Sequence, residues 1–200
     1  MELMNGPWKI KSSQSVYKDD FFEVNQDEVI RPDGEPGTYA TIQMKPGVAI
    51  LPLDEDGQTV FLTSQFRYAI GQYSVEVVCG GIDEGENPLE AAQRELQEEV
   101  GIRADDWTHL GQFELDTSIL QNPIDLFICR KLHFTEKNPE GTETVQTLKS
   151  SLSEIVSMVM DGRIKHGPSC VLILKAHLYL EAQQAPRVPS IPVTNTSTNY

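Results

Sequence analysis

The sequence predicts an α+β fold, and two observations carry this prediction. Strand-like segments separated by turn residues dominate the first half of the chain, whereas the middle holds one sharply bounded helix rich in carboxylates. The 200 residues suffice for one or one and a half ordinary domains. Hydrophobic residues make up 39% and charged residues 23%, which is typical of a globular protein and not of a membrane or disordered chain.

The N-terminal segment, residues 1–45, predicts a small β-rich subdomain of short strands. Apolar stretches at 21–24 and 39–42 flank the turn residues 31–37. We place a second domain at 46–184 and a disordered tail at 185–200, because the tail combines three prolines with Ser, Thr and Asn.

Two apolar runs, 48–51 and 60–63, are separated by turn residues and predict a β-hairpin. Residues 73–78 predict another strand, which ends in a turn at Gly80 and Gly81.

The central helix has clear signals at both ends. Asn87 is a good N-cap, Pro88 suits the first helical position, and Glu90 completes a capping box. Gly101 predicts the end of the helix after Val100.

The remainder alternates strands and helices. Strands are predicted near 107–116, 123–132 and 143–149, and helices at 153–160 and 169–184.

Charge narrows the possible partners. The chain carries 30 acidic and 16 basic residues, a net charge of −14. Affinity for nucleic acid or for an anionic membrane depends on Lys and Arg, so this balance disfavours both partners. No signal peptide or membrane span is recognisable, and the three cysteines lack zinc or disulfide spacing, so a cytoplasmic location is expected. The four histidines also lack ligand spacing and are expected to be structural or solvent-facing.

Residues 83–99 hold seven acidic residues and one base. On an ideal helix Glu95, Glu98 and Glu99 fall within an arc of about 100°, while Leu89, Leu96 and Val100 form a neighbouring stripe suited to packing. Crowded carboxylates repel one another, and Mg²⁺ prefers such oxygen ligands. The alternative is a solvated acidic face, since charge runs are commonly exposed.

Nine positions around this helix form a defined pattern. They are Gly80, Glu86, Arg94, Glu95, Leu96, Glu98, Glu99, Gly101 and Ile102. The pattern, spread over 23 residues, matches every defined position of the Nudix box, so the sequence resembles the Nudix hydrolases. That resemblance implies an α/β/α sandwich around a mixed sheet, with the box forming a loop–helix–loop.

The resemblance also implies a metal site that uses Mg²⁺, with Mn²⁺ as a possible substitute. Glu95 and Glu99 are the expected main ligands, Glu98 coordinates directly or through water, and the backbone carbonyl of Cys79 is a further ligand. Such ions neutralise and align a pyrophosphate and lower the pKa of an attacking water. Glu86, with the neighbouring Arg94, is expected to orient the carboxylates without touching substrate.

Residues 64–68 and 161–164 resemble the ADP-ribose pyrophosphatase group, whose N-terminal subdomain assembles a homodimer. Arg67 is then a candidate phosphate contact or a surface charge at a strand end. Glu76 either helps to hold the sugar, assists the metal site or is structural. Trp8 either stacks on adenine across the dimer or anchors the first strand.

The general base of that group follows the box in a loop, where Glu143 is preferred over Glu140 and plain exposed acids remain an alternative. Two positions depart from the group: Thr117 stands where a proline is usual, and residues 78–79 are Val-Cys instead of Pro-Ala. Thr117 puts the choice of nucleotide sugar in doubt but leaves the metal chemistry untouched.

The expected function is Mg²⁺-dependent hydrolysis of ADP-ribose or a similar nucleoside diphosphate sugar to a nucleoside monophosphate and a sugar phosphate. One alternative is a non-catalytic sensor of nucleotide sugars. Another is a Nudix hydrolase of nucleoside triphosphates or dinucleoside polyphosphates.

Overall fold

A computed structural model describes residues 3–137 and 145–184 of the chain. Its strands, in chain order, are β1 (Leu3–Asn5), β2 (Trp8–Lys18), β3 (Phe22–Ile30), β4 (Pro36–Met44), β5 (Gly47–Pro52), β6 (Thr59–Arg67), β7 (Gln72–Glu76), β8 (Val78–Gly81), β9 (Ile102–Glu114), β10 (Leu120–Gln121), β11 (Pro123–Phe134) and β12 (Gln146–Ser151). The helices are α1 (Pro88–Val100), α2 (Leu152–Met160) and α3 (Gly167–Gln184), with a short 3-10 turn at Tyr68–Ile70. None of these described helices is long and apolar enough to cross a membrane.

The N-terminal strands form a sheet in the order β1-β2-β3-β4-β10. Strands β2, β3 and β4 make an antiparallel meander of 11, 9 and 9 residues, so the strands are longer than the short ones expected. Strand β10 comes from later in the chain and pairs with β4 in parallel, with Leu120 opposite Ile42. The N-terminal sheet is therefore completed by a segment that follows the central helix.

Two further sheets build the rest of the molecule. The mixed sheet has the order β8-β5-β11-β9, in which β5 is parallel to β11 and antiparallel to β8. The second is antiparallel, in the order β12-β6-β7.

Strand β5 shows how the layers are arranged, because its side chains alternate between two cores. Val48 and Ile50 pack in the core that contains Leu96 of α1. Ala49 and Leu51 pack in the other core with α2 and α3, whose members include Ile155, Leu172 and Ile173. Helices thus cover both faces of the mixed sheet, which confirms the α/β/α sandwich.

The predicted hairpin of residues 48–51 with 60–63 is wrong. The turn exists, since the Asp54 N–H donates to the Thr59 carbonyl over 2.8 Å, but only Leu53 and Val60 pair across it. Both edges of β5 are occupied by β8 and β11, so β6 passes into the other sheet.

The single strand predicted at 73–78 is also divided. Strand β7 ends at Glu76 and β8 begins at Val78, and the two belong to different sheets. Between them, the Val77 N–H donates to the Ser169 hydroxyl over 3.0 Å. The turn predicted at Gly80 and Gly81 is instead the end of β8, because Gly80 pairs with Val48.

Helix α1 begins and ends where its capping residues predict. Asn87 Oδ1 accepts hydrogen bonds from the Leu89 and Glu90 N–H groups, and the Glu90 carboxylate accepts one from Asn87. Gly101 ends the helix at φ 66°, a conformation that favours glycine. The predicted packing stripe was partly wrong: Leu89 is 38% exposed, whereas Ala91 and Ala92 are buried alongside Leu96 and Val100.

Candidate active site

The site begins where β8 meets α1. A Cβ atom built on Gly80 would overlap the carboxylate of Glu95, so only glycine lets that side chain lie against the strand. This close approach explains why the first position of the box is a glycine.

Arg94 holds the surrounding carboxylates together. Its Nε and Nη2 donate to the two oxygens of Glu86 over 2.9 and 3.0 Å. Its Nη1 donates to Glu95 over 2.7 Å and to Glu98 over 3.2 Å, and Nη2 also donates to the Gly81 carbonyl. The pKa of the Glu86 carboxyl is lowered chiefly by the hydrogen bond from Arg94. Arg94 therefore contacts protein groups through all three of its nitrogens.

Further carboxylates surround Cys79 in β8. Glu99 lies on α1 and is only 8% exposed, and Glu76 at the end of β7 is 1% exposed. Burial, followed by the negative charges of Glu99, Glu76 and Glu95, raises the pKa of the Cys79 thiol. Glu76 and the two α1 carboxylates therefore lie close to the same strand.

Glu76 forms a second arginine–carboxylate pair. Arg67 Nε donates to Glu76 Oε1 over 3.0 Å and Nη2 donates to Oε2 over 2.5 Å. Burial opposes ionisation of Glu76, but Arg67, His166 and Ser74 outweigh it and lower the pKa of the carboxyl. The Glu99 carboxylate also lies near Arg67, and its negative charge contributes to the raised pKa of the Arg67 guanidinium.

A cleft of about 920 Å³ opens beside this pair. Its basic lining residues are Arg67, Arg163, Lys165 and His166, and Glu76 supplies a buried carboxylate. The cleft therefore combines an apolar lining with several basic side chains, and one of these, Arg67, is close enough to Glu99 of α1 to interact with it electrostatically.

Trp8 lies in a different place. It packs edge-on against Tyr39, with ring centroids 5.3 Å apart. Both line a second cleft of about 350 Å³, together with Thr117, and this cleft shares no lining residue with the larger one. Within one chain Trp8 is therefore not beside Arg67 and Glu76.

Nothing in the sequence indicated a site role for His166, which lines the larger cleft, or for Ser169, which is buried beside it. His166 Nδ1 lies 2.8 Å from the hydroxyl of Ser169, which is fully buried, and 3.5 Å from Glu76 Oε2. No local pattern marks these residues, because they lie about ninety positions after Glu76. Glu140 and Glu143, the candidates for the general base, lie outside the described residues.

The model of the NUDIX domain matches residues 43–157, more than half of the chain. The chain belongs to the Nudix family. The nucleoside diphosphate sugar hydrolase N-terminal domain matches residues 8–42.

Several Nudix hydrolases are similar to this protein over most of its length. An ADP-ribose pyrophosphatase of Mycobacterium tuberculosis is 33% identical, covering 88% of this chain and 86% of that protein. An ADP-ribose pyrophosphatase of Bacillus subtilis is 23% identical and covers 88% and 94%. A solved structure of an ADP compounds hydrolase superposes with a TM-score of 0.76 at 21% identity, covering 87% of this chain and 94% of that one, and supports the fold. This Nudix chain is thus a hydrolase resembling the ADP-ribose and nucleoside diphosphate sugar pyrophosphatases.

Nudix hydrolases use a divalent metal ion, and the residues here fit one chemically. Glu95, Glu98 and Glu99 offer the carboxylate oxygens that hard cations prefer, and Gly80 leaves space for Glu95 against the strand. Among residues 3–137 and 145–184, no three His, Cys, Asp or Glu side chains converge as a ready-made ligand set. Glu95 and Glu98 instead each direct an oxygen to Arg94.

Proposed function

We propose that this Nudix hydrolase cleaves the pyrophosphate bond of ADP-ribose or a similar nucleoside diphosphate sugar in a Mg²⁺-dependent reaction. The products are a nucleoside monophosphate and a sugar phosphate. The observation that carries the proposal is the proximity of a box carboxylate of α1, Glu99, to Arg67, which is one of the basic residues that line the cleft. A diphosphate carries negative charges that cations neutralise, and this arrangement brings basic side chains close to carboxylates that can hold a divalent cation.

The proposed metal ligands are Glu95 and Glu99, with Glu98 bound directly or through water and the carbonyl of Cys79 as a further ligand. When bound, Mg²⁺ or Mn²⁺ would neutralise the diphosphate and lower the pKa of a water molecule. Arg94, fixed by Glu86, orients Glu95 and Glu98 through the hydrogen bonds of Nη1.

The reaction adds water to one phosphorus and breaks the bond from that phosphorus to the bridging oxygen. Glu143 is the proposed general base, which takes the proton of the attacking water, and Glu140 is the second choice. Arg67 is proposed to contact a phosphate oxygen, and Nη1 is the nitrogen that Glu76 leaves for this role.

We further propose a division at residue 45 between an N-terminal dimerisation subdomain and the hydrolase domain. In the homodimer, Trp8 of a second copy would stack on the adenine, since Trp8 lies away from the larger cleft of its own chain. The acidic charge of −14 supports a small metal-bound substrate and no nucleic-acid polymer or membrane. A cytoplasmic location stays part of the proposal.

The experiment is a product assay on the purified chain. ADP-ribose, other nucleoside diphosphate sugars, nucleoside triphosphates and dinucleoside polyphosphates are each incubated with Mg²⁺, with Mn²⁺ or with EDTA. We expect a nucleoside monophosphate and a sugar phosphate from the first two groups, and no product with EDTA. Exclusive turnover of triphosphates or dinucleoside polyphosphates would refute the substrate assignment, whereas tight ADP-ribose binding without products would indicate a sensor.

A further inference from the structure

Four side chains from three separate segments meet at one wall of the 920 Å³ cleft. Arg67 ends β6, Glu76 ends β7, His166 precedes α3, and Ser169 lies in its first turn. Arg67, Glu76 and His166 line the cleft, while Ser169 is buried behind them. We call these four residues the cleft wall.

Glu76 is placed to hold its neighbours and not to bind a ligand. It is 1% exposed, and both of its oxygens accept hydrogen bonds from Arg67. A carboxylate in a two-bond fork fixes the plane of the guanidinium. Arg67 Nη1 then remains on the ligand side, since the protein accepts no hydrogen bond from it within the described residues.

Ser169 orients His166, as Glu76 orients Arg67. A hydroxyl has one hydrogen and can accept two further bonds. Ser169 Oγ accepts the hydrogen of the Val77 N–H over 3.0 Å, and His166 Nδ1 lies 2.8 Å from the same oxygen. When the hydroxyl donates to Nδ1, the proton of a neutral imidazole is on Nε2. Burial lowers the pKa of His166, which favours the neutral ring.

We propose that His166 is a substrate-binding residue whose Nε2–H donates to a phosphate oxygen of the bound diphosphate. Ser169 is the positioning residue that keeps the proton on Nε2. The inference rests on the proposed function, because it names a further contact in the same site.

The competing arrangement puts the proton on Nδ1, where it would be shared with Ser169 or Glu76. Two features of the wall disfavour it. The distance of 3.5 Å from Nδ1 to Glu76 Oε2 is longer than an ordinary hydrogen bond. If Nδ1 instead donated to Ser169 Oγ, that oxygen would accept two hydrogen bonds, and its own buried hydrogen would be left without a hydrogen-bonded acceptor among the described residues.

A phosphate oxygen is the acceptor that the surroundings favour. The other basic lining residues are Arg163 and Lys165, and Arg163 is already paired with Asp161 and Glu154. A neutral N–H beside Arg67 adds a directed bond to an anion without a further buried charge. The cleft wall thus offers Arg67 Nη1 and His166 Nε2 as two donors on the side facing the ligand.

The first measurement is ¹⁵N NMR of the ¹⁵N-histidine-labelled protein at about pH 8, where a free imidazole is neutral. For His166 we expect a protonated Nε2 and an unprotonated Nδ1, with the preference kept in Ser169→Thr and weakened in Ser169→Ala. A protonated Nδ1 in the wild type would overturn the assignment. The wild type and Ser169→Thr decide the question even where Ser169→Ala fails to fold.

The second measurement is steady-state hydrolysis of ADP-ribose with Mg²⁺. We expect His166→Ala to raise KM about tenfold, the factor for one lost hydrogen bond of about 1.4 kcal/mol, with kcat within about twofold. His166→Gln restores part of the loss because its amide donates at similar reach. The control His177→Gln changes a residue paired with Glu181 on the surface of α3 and leaves both constants unchanged.

The two measurements separate the two proposals. An unchanged KM in His166→Ala, with an active wild type, refutes the role of His166 and leaves the proposed function standing. A wild type that hydrolyses no nucleoside diphosphate sugar refutes the proposed function, and the NMR measurement still decides the tautomer.

Discussion

Two arginines show how differently the two halves of the site are built. Each arginine donates hydrogen bonds from Nε and Nη2 to the two oxygens of one glutamate. The partner of Arg94 is Glu86, and the partner of Arg67 is Glu76. The remaining nitrogen of Arg94, Nη1, donates to Glu95 and Glu98. Arg67 lines the cleft, and its Nη1 donates to no protein group among the described residues.

The same kind of arginine–glutamate pair therefore serves two purposes. Around Arg94 the pair stabilises the protein internally, because the neighbouring carboxylates repel one another and Arg94 offsets that repulsion. Around Arg67 the pair orients a group for ligand binding, because the deeply buried Glu76 fixes the guanidinium of a residue that lines the cleft. We therefore expect changes near Arg94 to act on kcat and changes near Arg67 to act on KM.

The largest effect is expected from Glu99→Gln, which removes a charge from the acidic half. Because Glu99 is a proposed metal ligand, its loss should cost several kcal/mol of transition-state stabilisation, and kcat/KM with Mg²⁺ should fall at least about a hundredfold. The melting temperature should stay near that of the wild type. Glu84→Gln, at an exposed loop position, is the control. Full activity in Glu99→Gln would remove it from the metal site.

Gly80→Ala tests the close approach of β8 and Glu95. Forcing the carboxylate away costs roughly 1–3 kcal/mol, so kcat should fall between about tenfold and a hundredfold. Gly37→Ala in β4 is the control, because its new Cβ meets only the flexible side chain of Arg31. Equal kinetics in both variants would show that the position of Glu95 does not matter.

The paired variants Arg94→Lys and Arg67→Lys address the comparison directly, because an ammonium cannot form the two-bond fork. We expect Arg94→Lys to lower kcat about tenfold and Arg67→Lys to raise KM about threefold to tenfold, each corresponding to roughly one charged hydrogen bond. Arg103→Lys is the control, because Arg103 is exposed and its Nε donates only to Gln97, outside both pairs. The reverse pattern, with kcat lost at Arg67, would contradict the division of roles.

The smallest effect is expected at the N-terminus of α1. Asn87→Ala removes the cap and should lower the free energy of unfolding by about 1 kcal/mol. Asn87→Ser retains a side-chain acceptor and should remain near the wild type. Chemical denaturation measures both. Activity at a temperature well below unfolding should be unchanged, since the cap lies at the far end of the helix from Glu98 and Glu99. A large loss of kcat would mean that the first turn shapes the carboxylate cluster.

Prediction from the sequence succeeded where the signals are local. The bounds of α1 follow from Asn87, Pro88 and Gly101, which act on neighbouring backbone groups. The same local spacing put Glu95, Glu98 and Glu99 together on one helix. The layered fold was predicted through the resemblance that these residues carry.

Prediction failed for strand partners. The run at 48–51 looked like one half of a hairpin, yet β5 pairs with β8 and β11. An apolar run shows that a strand is buried but not which neighbours occupy its edges. The break at Val77 has the same origin, because its N–H is satisfied by Ser169 from a distant helix.

The family, the acidic helix with its caps and the excess of negative charge were all evident from the order of the amino acids. All three are encoded in residue type and short spacing, which local backbone geometry translates directly into structure. The cleft wall became evident only in the folded protein, where β6, β7 and the start of α3 bring Arg67, Glu76, His166 and Ser169 together. Contacts across about a hundred residues depend on which edges and faces remain open after the core has packed, and no short pattern in the chain carries that information.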